Sequence, residues 1–402
     1  MSVPKLRFKE FDGAWAITPL KNISKIYDGT HQTPNYVEKG VPFYSVEHVT
    51  ANNFSNTKFI ADDVYQAEIK RVKLEKGDIL LTRIGDIGTT RLIDWDVFAS
   101  FYVSLALLKI SQENHSSFVN QYIKSPFFQR ELHERTIHVA FPKKINLGEI
   151  GLCVIKIPVL EEQTKIASFL SAVDEKISQL TQKHQLLSQY KQGMMQKLFS
   201  QQIRFKADDG SEFGEWEEKT LNEIASKQSN KNKDDSITEV LTNSATQGII
   251  KQSDYFDREI VTESNLNGYY IVNLNDFVYN PRISVHAPVG PIKRNKKCLG
   301  VMSPLYTVFT VKKGDLTYLE YFFDSNFWHD YVKGVANSGA RHDRMNITNK
   351  DFFDMPILYP CLEEQTKIAN FLSAIDQKIE VVAQQIEQAK QWKKGLLQQM
   401  FV

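Results

Sequence analysis

Side chains able to hydrogen-bond to base edges or to phosphates gather in a few short stretches of this chain, most of them bounded by glycine or proline. In the first half they are Thr30, His31, Gln32 and Thr33 inside DGTHQTP, Tyr44 and His48 downstream, then Thr82, Arg83, Thr89, Thr90 and Arg91 in and after GDILLTRIG. In the second half they are Asn243 and Gln247, then Asn280, Arg282, Ser284 and His286 after NDFVY. Lys293 and Arg294 follow within KRNKK, and Arg341 and Arg344 within RHDR. Arginine can grip guanine and asparagine or glutamine can grip adenine, while lysines and hydroxyls suffice for phosphates. The chemistry these residues suit is recognition of nucleic-acid bases. The segments GDILLTR and NDFVYNPR, each a strand running into an arginine, rank first. A run such as KRNKK is more often a solvated loop, though in a chain this close to neutral a basic cluster stands out.

Groups for bond-making chemistry are not assembled in this way. Asn280-Pro281-Arg282 is only part of the Asn-Pro-Pro-aromatic arrangement that would hold a flipped base. No FxGxG loop for S-adenosylmethionine and no GxxxxGK[ST] loop for nucleotide phosphates occurs. Glu217-Glu218-Lys219 has the ExK spacing of half a nuclease metal site, but its counterpart Ala16-Ile17-Thr18 is uncharged. Cys153, Cys298 and Cys361 lack metal-ligand or disulfide spacing. The expectation is a non-catalytic chain without metal or cofactor of its own.

What must position the reading residues is visible in a repeat. Leu160–Ile177, LEEQTKIASFLSAVDEKI, returns as Leu362–Ile379, LEEQTKIANFLSAIDQKI, identical at 15 of 18 positions and offset by 202 residues. A repeat on this scale is a duplicated domain rather than a solenoid unit. Behind each copy runs a heptad stripe: Ile166, Leu170, Val173, Ile177, Leu180 and Leu187 in one, Ile368, Leu372, Ile375, Ile379, Val382 and Ile386 in the other. Pro158 and Pro360 precede the helix starts. A helix from Glu161 to Phe199 would span roughly 58 Å, too long for the core of a small domain. The two are expected to pair antiparallel as a coiled coil, and the conserved repeat is expected to face identical partners.

The remaining sequence is of mixed α/β character. Strands are predicted over Val41–Val46, Asp78–Thr82, Val103–Ile110, Gly268–Val272, Asp276–Tyr279 and Leu305–Val311. Helices are predicted over Phe118–Ser125, Pro126–Arg135 and Leu316–Val332. The domains run 1–158 and 201–358, and the long helices 159–200 and 359–402. The skeleton recurs in both halves: KGDIL answers NDFV, and VSL answers MSPL. The residues around it diverge. Composition agrees with two ordinary cores (42% hydrophobic), and the net charge of +1 means any nucleic-acid contact is local. Neither a signal peptide nor a membrane span is expected, and a cytoplasmic home fits the cysteine usage.

The twice-occurring PxLEEQxKIAxFLSAxDxKI resembles the repeated regions of the specificity subunit of Type I restriction–modification enzymes. DGTHQTP, GVPF and GDILLTRIG in the first half, with NDFVYN and SPLY in the second, are similar to that family's target recognition domains. The resemblance implies two domains, each reading one half of a bipartite, asymmetric double-stranded DNA target. It implies helices that set the gap and dock two modification (methyltransferase) subunits, joined by restriction (translocase and nuclease) subunits. S-adenosylmethionine, ATP and magnesium would then belong to those partners. The rival readings are a protein-interaction scaffold with two ligand-binding domains on a coiled coil, and an autonomous methyltransferase.

Overall fold

The computed structural model describes residues 4–255, 266–336 and 343–401. The chain divides into two compact units, Met1–Gln182 with Val382–Val402, and Lys183–Val381. Each unit contains one mixed α/β domain and portions of two long helices, Leu160–Phe199 and Leu362–Met400.

In the first unit a four-stranded antiparallel sheet has the order Ser24–Asp28, Leu105–Ile110, Ile79–Ile84, Asp86–Leu92. Ile79 and Leu81 enter one core with Phe118, Tyr122 and Phe128 of the following helices. Leu80 alternates to a second core with Tyr44, Val49 and Phe101. A strand apolar at successive positions is thus buried on both faces. In the second unit the sheet order is Ala225–Gln228, Thr307–Val311, Phe277–Tyr279, Ile292–Arg294. It has the same two-faced burial, with Phe277 and Tyr279 to one core and Val278 to the other. The topology is shared although the sequences have drifted apart.

A short antiparallel strand pair closes each domain at its exit: Ala16–Pro19 with Val154–Ile157, and Glu217–Thr220 with Pro356–Tyr359. Glu217-Glu218-Lys219 is therefore strand. Lys219 pairs with Glu217 at 3.1 Å and lies over the Tyr359 ring. The chain then enters a long helix at the repeated LEEQ. Glu162 is buried and accepts from Arg7 at 2.8 and 2.7 Å and from the Trp15 indole at 3.3 Å. Glu364 does the same for Arg204 and Trp216. Gln163 donates to the Pro158 carbonyl and accepts from the His115 amide, and Gln365 likewise joins Pro360 to Asp315. The expectation that the repeat faces partners is corrected for these residues: the second Glu and the Gln form the socket between helix and domain.

The stripes pack antiparallel. In the first unit Ile166, Leu170 and Val173 share a core with Leu396, Leu397, Met400 and Phe401. In the second, Ile368, Leu372 and Ile375 share one with Met195, Leu198 and Phe199. Leu180 and Val382 are buried, while Ile177, Ile379, Leu187 and Ile386 are half-buried. Lys393 pairs with Asp174 in the first unit and Lys191 with Asp376 in the second, related positions of the repeat.

Two predicted elements change course within their predicted bounds, while others shift at their ends by one or two residues. The strand from Val41 stops at Tyr44, where Ser45 caps a helix Val46–Ala51. The helix predicted over Leu316–Val332 breaks into Leu316–Asp324 and His329–Val335. At the break the Ser325 hydroxyl donates to the Phe322 carbonyl and the Trp328 indole to the Phe323 carbonyl, competing with helical bonds.

Candidate nucleic-acid interface

The strand Ile79–Ile84 and its counterpart Phe277–Tyr279 each run into a rim where a second segment, far downstream, is bound in antiparallel fashion. In the first unit the Ile145 amide donates to the Arg83 carbonyl at 3.0 Å and the Gly85 amide to the Lys143 carbonyl at 2.8 Å. In the second the Met345 amide donates to the Pro281 carbonyl and the Ile283 amide to the Asp343 carbonyl. These bonds align the halves: Arg83 answers Pro281, and Ile84, bridged to Lys144, answers Arg282, bridged to Arg344.

The two strand-ending arginines are therefore not equivalent. Neighbouring residues of a strand face opposite ways, so an offset of one residue exchanges inside for outside. Arg83 is only 8% exposed. Its guanidinium donates to the Val103 carbonyl at 2.7 Å and the Ile145 carbonyl at 3.2 Å, and burial lowers its pKa. It braces the rim from within. Arg282 is exposed, with no side-chain hydrogen bond or ion pair among the described residues. Beside it Ser284, Val285 and His286 project outward, Ser284 and Ala287 closing a tight turn.

Other candidates sort by burial. Tyr44 lies in the core against Phe54. The His48 ring accepts from the Ser45 amide at 2.9 Å as part of a capping box, so it is held inside. Thr82 bonds Asp86 and the Thr89 amide, and Thr90 is buried one residue on. Asn243 is buried and donates to the carbonyls of Val278 and Pro291. For Tyr44, His48, Thr82, Arg83 and Asn243 the expected outward position is corrected, because each meets an internal packing or backbone demand; it is corrected for Thr90 as well, which is buried with its hydroxyl unpartnered among the described residues. Thr89 and Arg91 are half-buried, Arg91 pairing with Asp94 at 3.1 Å and covering the Trp95 ring. Asn280 donates to the Asn243 carbonyl, holding the two loops together.

The basic run at 293–297 is largely neutralised. Lys293 meets Asp324 at 2.6 Å, Arg294 bonds Asn275 and faces Glu320, and Lys296 reaches Glu320 at 2.7 Å. Arg344 is half-buried beside Asp343, while Arg341 lies outside the described residues. Gln247 stands exposed on the turn between strands Leu241–Ser244 and Gly248–Lys251.

The DGTHQTP loop borders a cavity of about 520 Å³ lined by Asp28, Thr30, His31, Asp63, Glu68 and Arg71, among others. Asp28 takes up both His31, at 2.6 Å, and Arg71. Burial pushes the Glu68 carboxyl up. Three carboxyl groups make this cavity a poor seat for phosphate. Thr30 is half-buried, Gln32 is exposed, and exposed Thr33 shares a 3.1 Å bond with the Tyr102 hydroxyl, leaving these residues on the outer lip.

The sequence reading missed the segment His138–Lys144 at the first rim. Its ends are tied: Ile137 donates to the Lys144 carbonyl, and the His138 ring contacts the His133 carbonyl at 2.8 Å. Its Val139, Phe141, Lys143 and Lys144 are exposed. The available signal was an apolar pair set in a proline- and lysine-containing stretch.

Comparison with known proteins gives this architecture its class. The model of the Type I restriction modification DNA specificity domain matches residues 13–189 and again 214–391, and the chain belongs to that family, with two copies of the domain. The putative type I restriction enzyme MjaX specificity subunit of Methanocaldococcus jannaschii is 27% identical over 98% of this chain and 94% of its own. The MjaVIII specificity subunit of the same organism is 26% identical over 97% and 94%. The solved Type I S subunit from M. genitalium matches with a TM-score of 0.57 at 14% identity, covering 100% of this chain and 99% of that one. A chain from a structure on complex assembly and conformational transition of the type I R-M system gives 0.55 at 13%, covering 96% and 97%. At these identities the structural likeness is one of fold.

Proposed function

We propose that this chain acts as the DNA-specificity subunit of a Type I restriction–modification complex, each domain reading one half of a bipartite, asymmetric target. The observation that carries this reading is the twofold match to the specificity-domain family, joined to two rims with the same backbone frame and different outward side chains. An Arg282–Ser284–His286 turn on one rim and a His138–Lys144 loop on the other cannot present the same pattern to a duplex. With Arg83 buried, Lys293 and Lys296 paired with carboxylates and a net charge of only +1, affinity would come from local contacts rather than bulk charge.

In this reading the paired helices set the gap and carry the surface for modification subunits, with restriction subunits joining that assembly. S-adenosylmethionine, ATP and magnesium are assigned to those partners, and this chain supplies recognition rather than catalysis. No helix among the described residues is long and apolar enough to cross a membrane, which accords with a cytoplasmic DNA-binding role.

The test is co-expression with the cognate modification subunit and mapping of methylated positions across a genome. One gapped, non-palindromic motif is expected. Unchanged methylation despite an intact complex would overturn the reading and favour the interaction scaffold.

A further inference from the structure

The loop at the first rim has a composition that the fold does not use. Val139 and Phe141 are fully exposed, at 96% and 104%, so neither adds to any core. An aromatic ring held in water is unfavourable unless something covers it part of the time. The loop is nonetheless firmly rooted. Its C-terminal end is fixed through the Lys143 carbonyl to Gly85 and through Ile145 to the Arg83 backbone, and the Arg83 guanidinium grips the Ile145 carbonyl from beneath.

Its charge is one-sided. Residues 136–145, TIHVAFPKKI, hold two lysines and a histidine and no acid. A carboxylate across the rim, Asp86, lines the same small cavity as His138 and Lys143 and accepts from the Thr82 hydroxyl at 2.9 Å. A related arrangement occurs at the second rim, where Val285 stands 97% exposed between Ser284 and His286 and close in sequence to Arg282. An apolar tip raised above cations suits a partner with phosphates outside and stacked apolar faces inside, which describes a duplex.

We propose that Phe141, with Val139 beside it, is a wedge that enters the base stack at the first half-site while Lys143 and Lys144 hold the flanking phosphates. The proposal rests on the DNA-specificity reading and adds a local distortion of the target to it.

The experiment uses the full chain with co-expressed modification subunits and duplexes it selects from a random library, carrying 2-aminopurine at successive positions. Fluorescence should rise at one step within or beside the first half-site. Phe141→Ala should abolish that rise and weaken binding roughly tenfold, with the salt dependence unchanged. Phe141→Trp should preserve both. Replacing Lys143 and Lys144 by alanine should instead flatten the salt dependence by about 0.9 in log–log slope per lost contact. Because Phe141 is fully exposed, its variants should melt with the parent, which separates a lost wedge from a lost fold. No fluorescence change at any position, or unaltered affinity of Phe141→Ala, would overturn the wedge while leaving the DNA reading standing. If the parent complex selects no duplex at all, the specificity reading fails and the wedge falls with it.

Discussion

At the scale of single residues, a polar side chain at a promising place can be spent on the fold instead of the surface. Arg83 is the sharpest case: a buried guanidinium whose described partners are carbonyl oxygens. Replacing it by methionine keeps much of the volume and removes those donors from the carbonyls of Val103 and Ile145. The expected loss is about 1–3 kcal/mol of stability, measured by urea denaturation, with the base preference at the first half-site unchanged. A changed base preference at full stability would make Arg83 a reader after all. The residue types and loops that frame the rim were legible in the sequence, because Arg, Asn and Gln beside glycine and proline are local signals. Which way each side chain points was not. That depends on a register between segments some 60 residues apart, and one residue of offset places Arg83 inside and Arg282 outside. The pairing of Lys293 with Asp324 likewise joins segments 31 residues apart and leaves no local trace.

At the scale of elements, the long helices could be read directly, since a heptad stripe is periodic and needs no knowledge of partners. Their attachment could not, although its residues were in plain view. Glu162 and Glu364 sit in the first turn, where the helix dipole would favour any carboxylate, but their burial against Arg7 and Arg204 gives them a specific structural job. The attachment also carries an unfavourable group. Lys124, at the end of helix Ser116–Ile123, has its pKa lowered from 10.5 to about 8 by burial and by Lys393, against the pull of Asp174. The folded state therefore gives up this proton before the unfolded chain does, and stability gains from this group as pH rises from about 8 to 10.5. Below that window the lysine is charged in both states and its burial penalty is fully present. Lys124→Met should raise stability at pH 7 by roughly 2–3 kcal/mol, and the advantage should shrink towards pH 10. Thermal melts of both proteins across that range check it; a constant difference, or a less stable variant at pH 7, would show that the lysine is not penalised.

At the scale of the whole molecule, duplication separates two tasks. Among the parts that stayed alike, the second Glu and the Gln of LEEQ, the heptads and the sheet order have internal partners, and each is constrained by its own half. The domains diverged throughout, and at the rims exposed side chains such as Phe141 and Arg282 meet no packing demand that would hold the copies to a common sequence. If the paired helices set the distance between the rims, lengthening both by one heptad should change the target in one respect only. Seven added residues extend a helix by about 10.5 Å, close to three steps of duplex at roughly 3.4 Å each. Insertions must be made in both helices at facing positions, so that the stripes stay in phase and the buried Glu162 and Glu364 sockets are untouched. The expected outcome, read by mapping methylation in cells with the modification subunit, is the same two half-sites separated by a gap about three base pairs longer. Altered half-sites would mean that the helices also shape the rims, and an unchanged gap would mean that they do not set the distance.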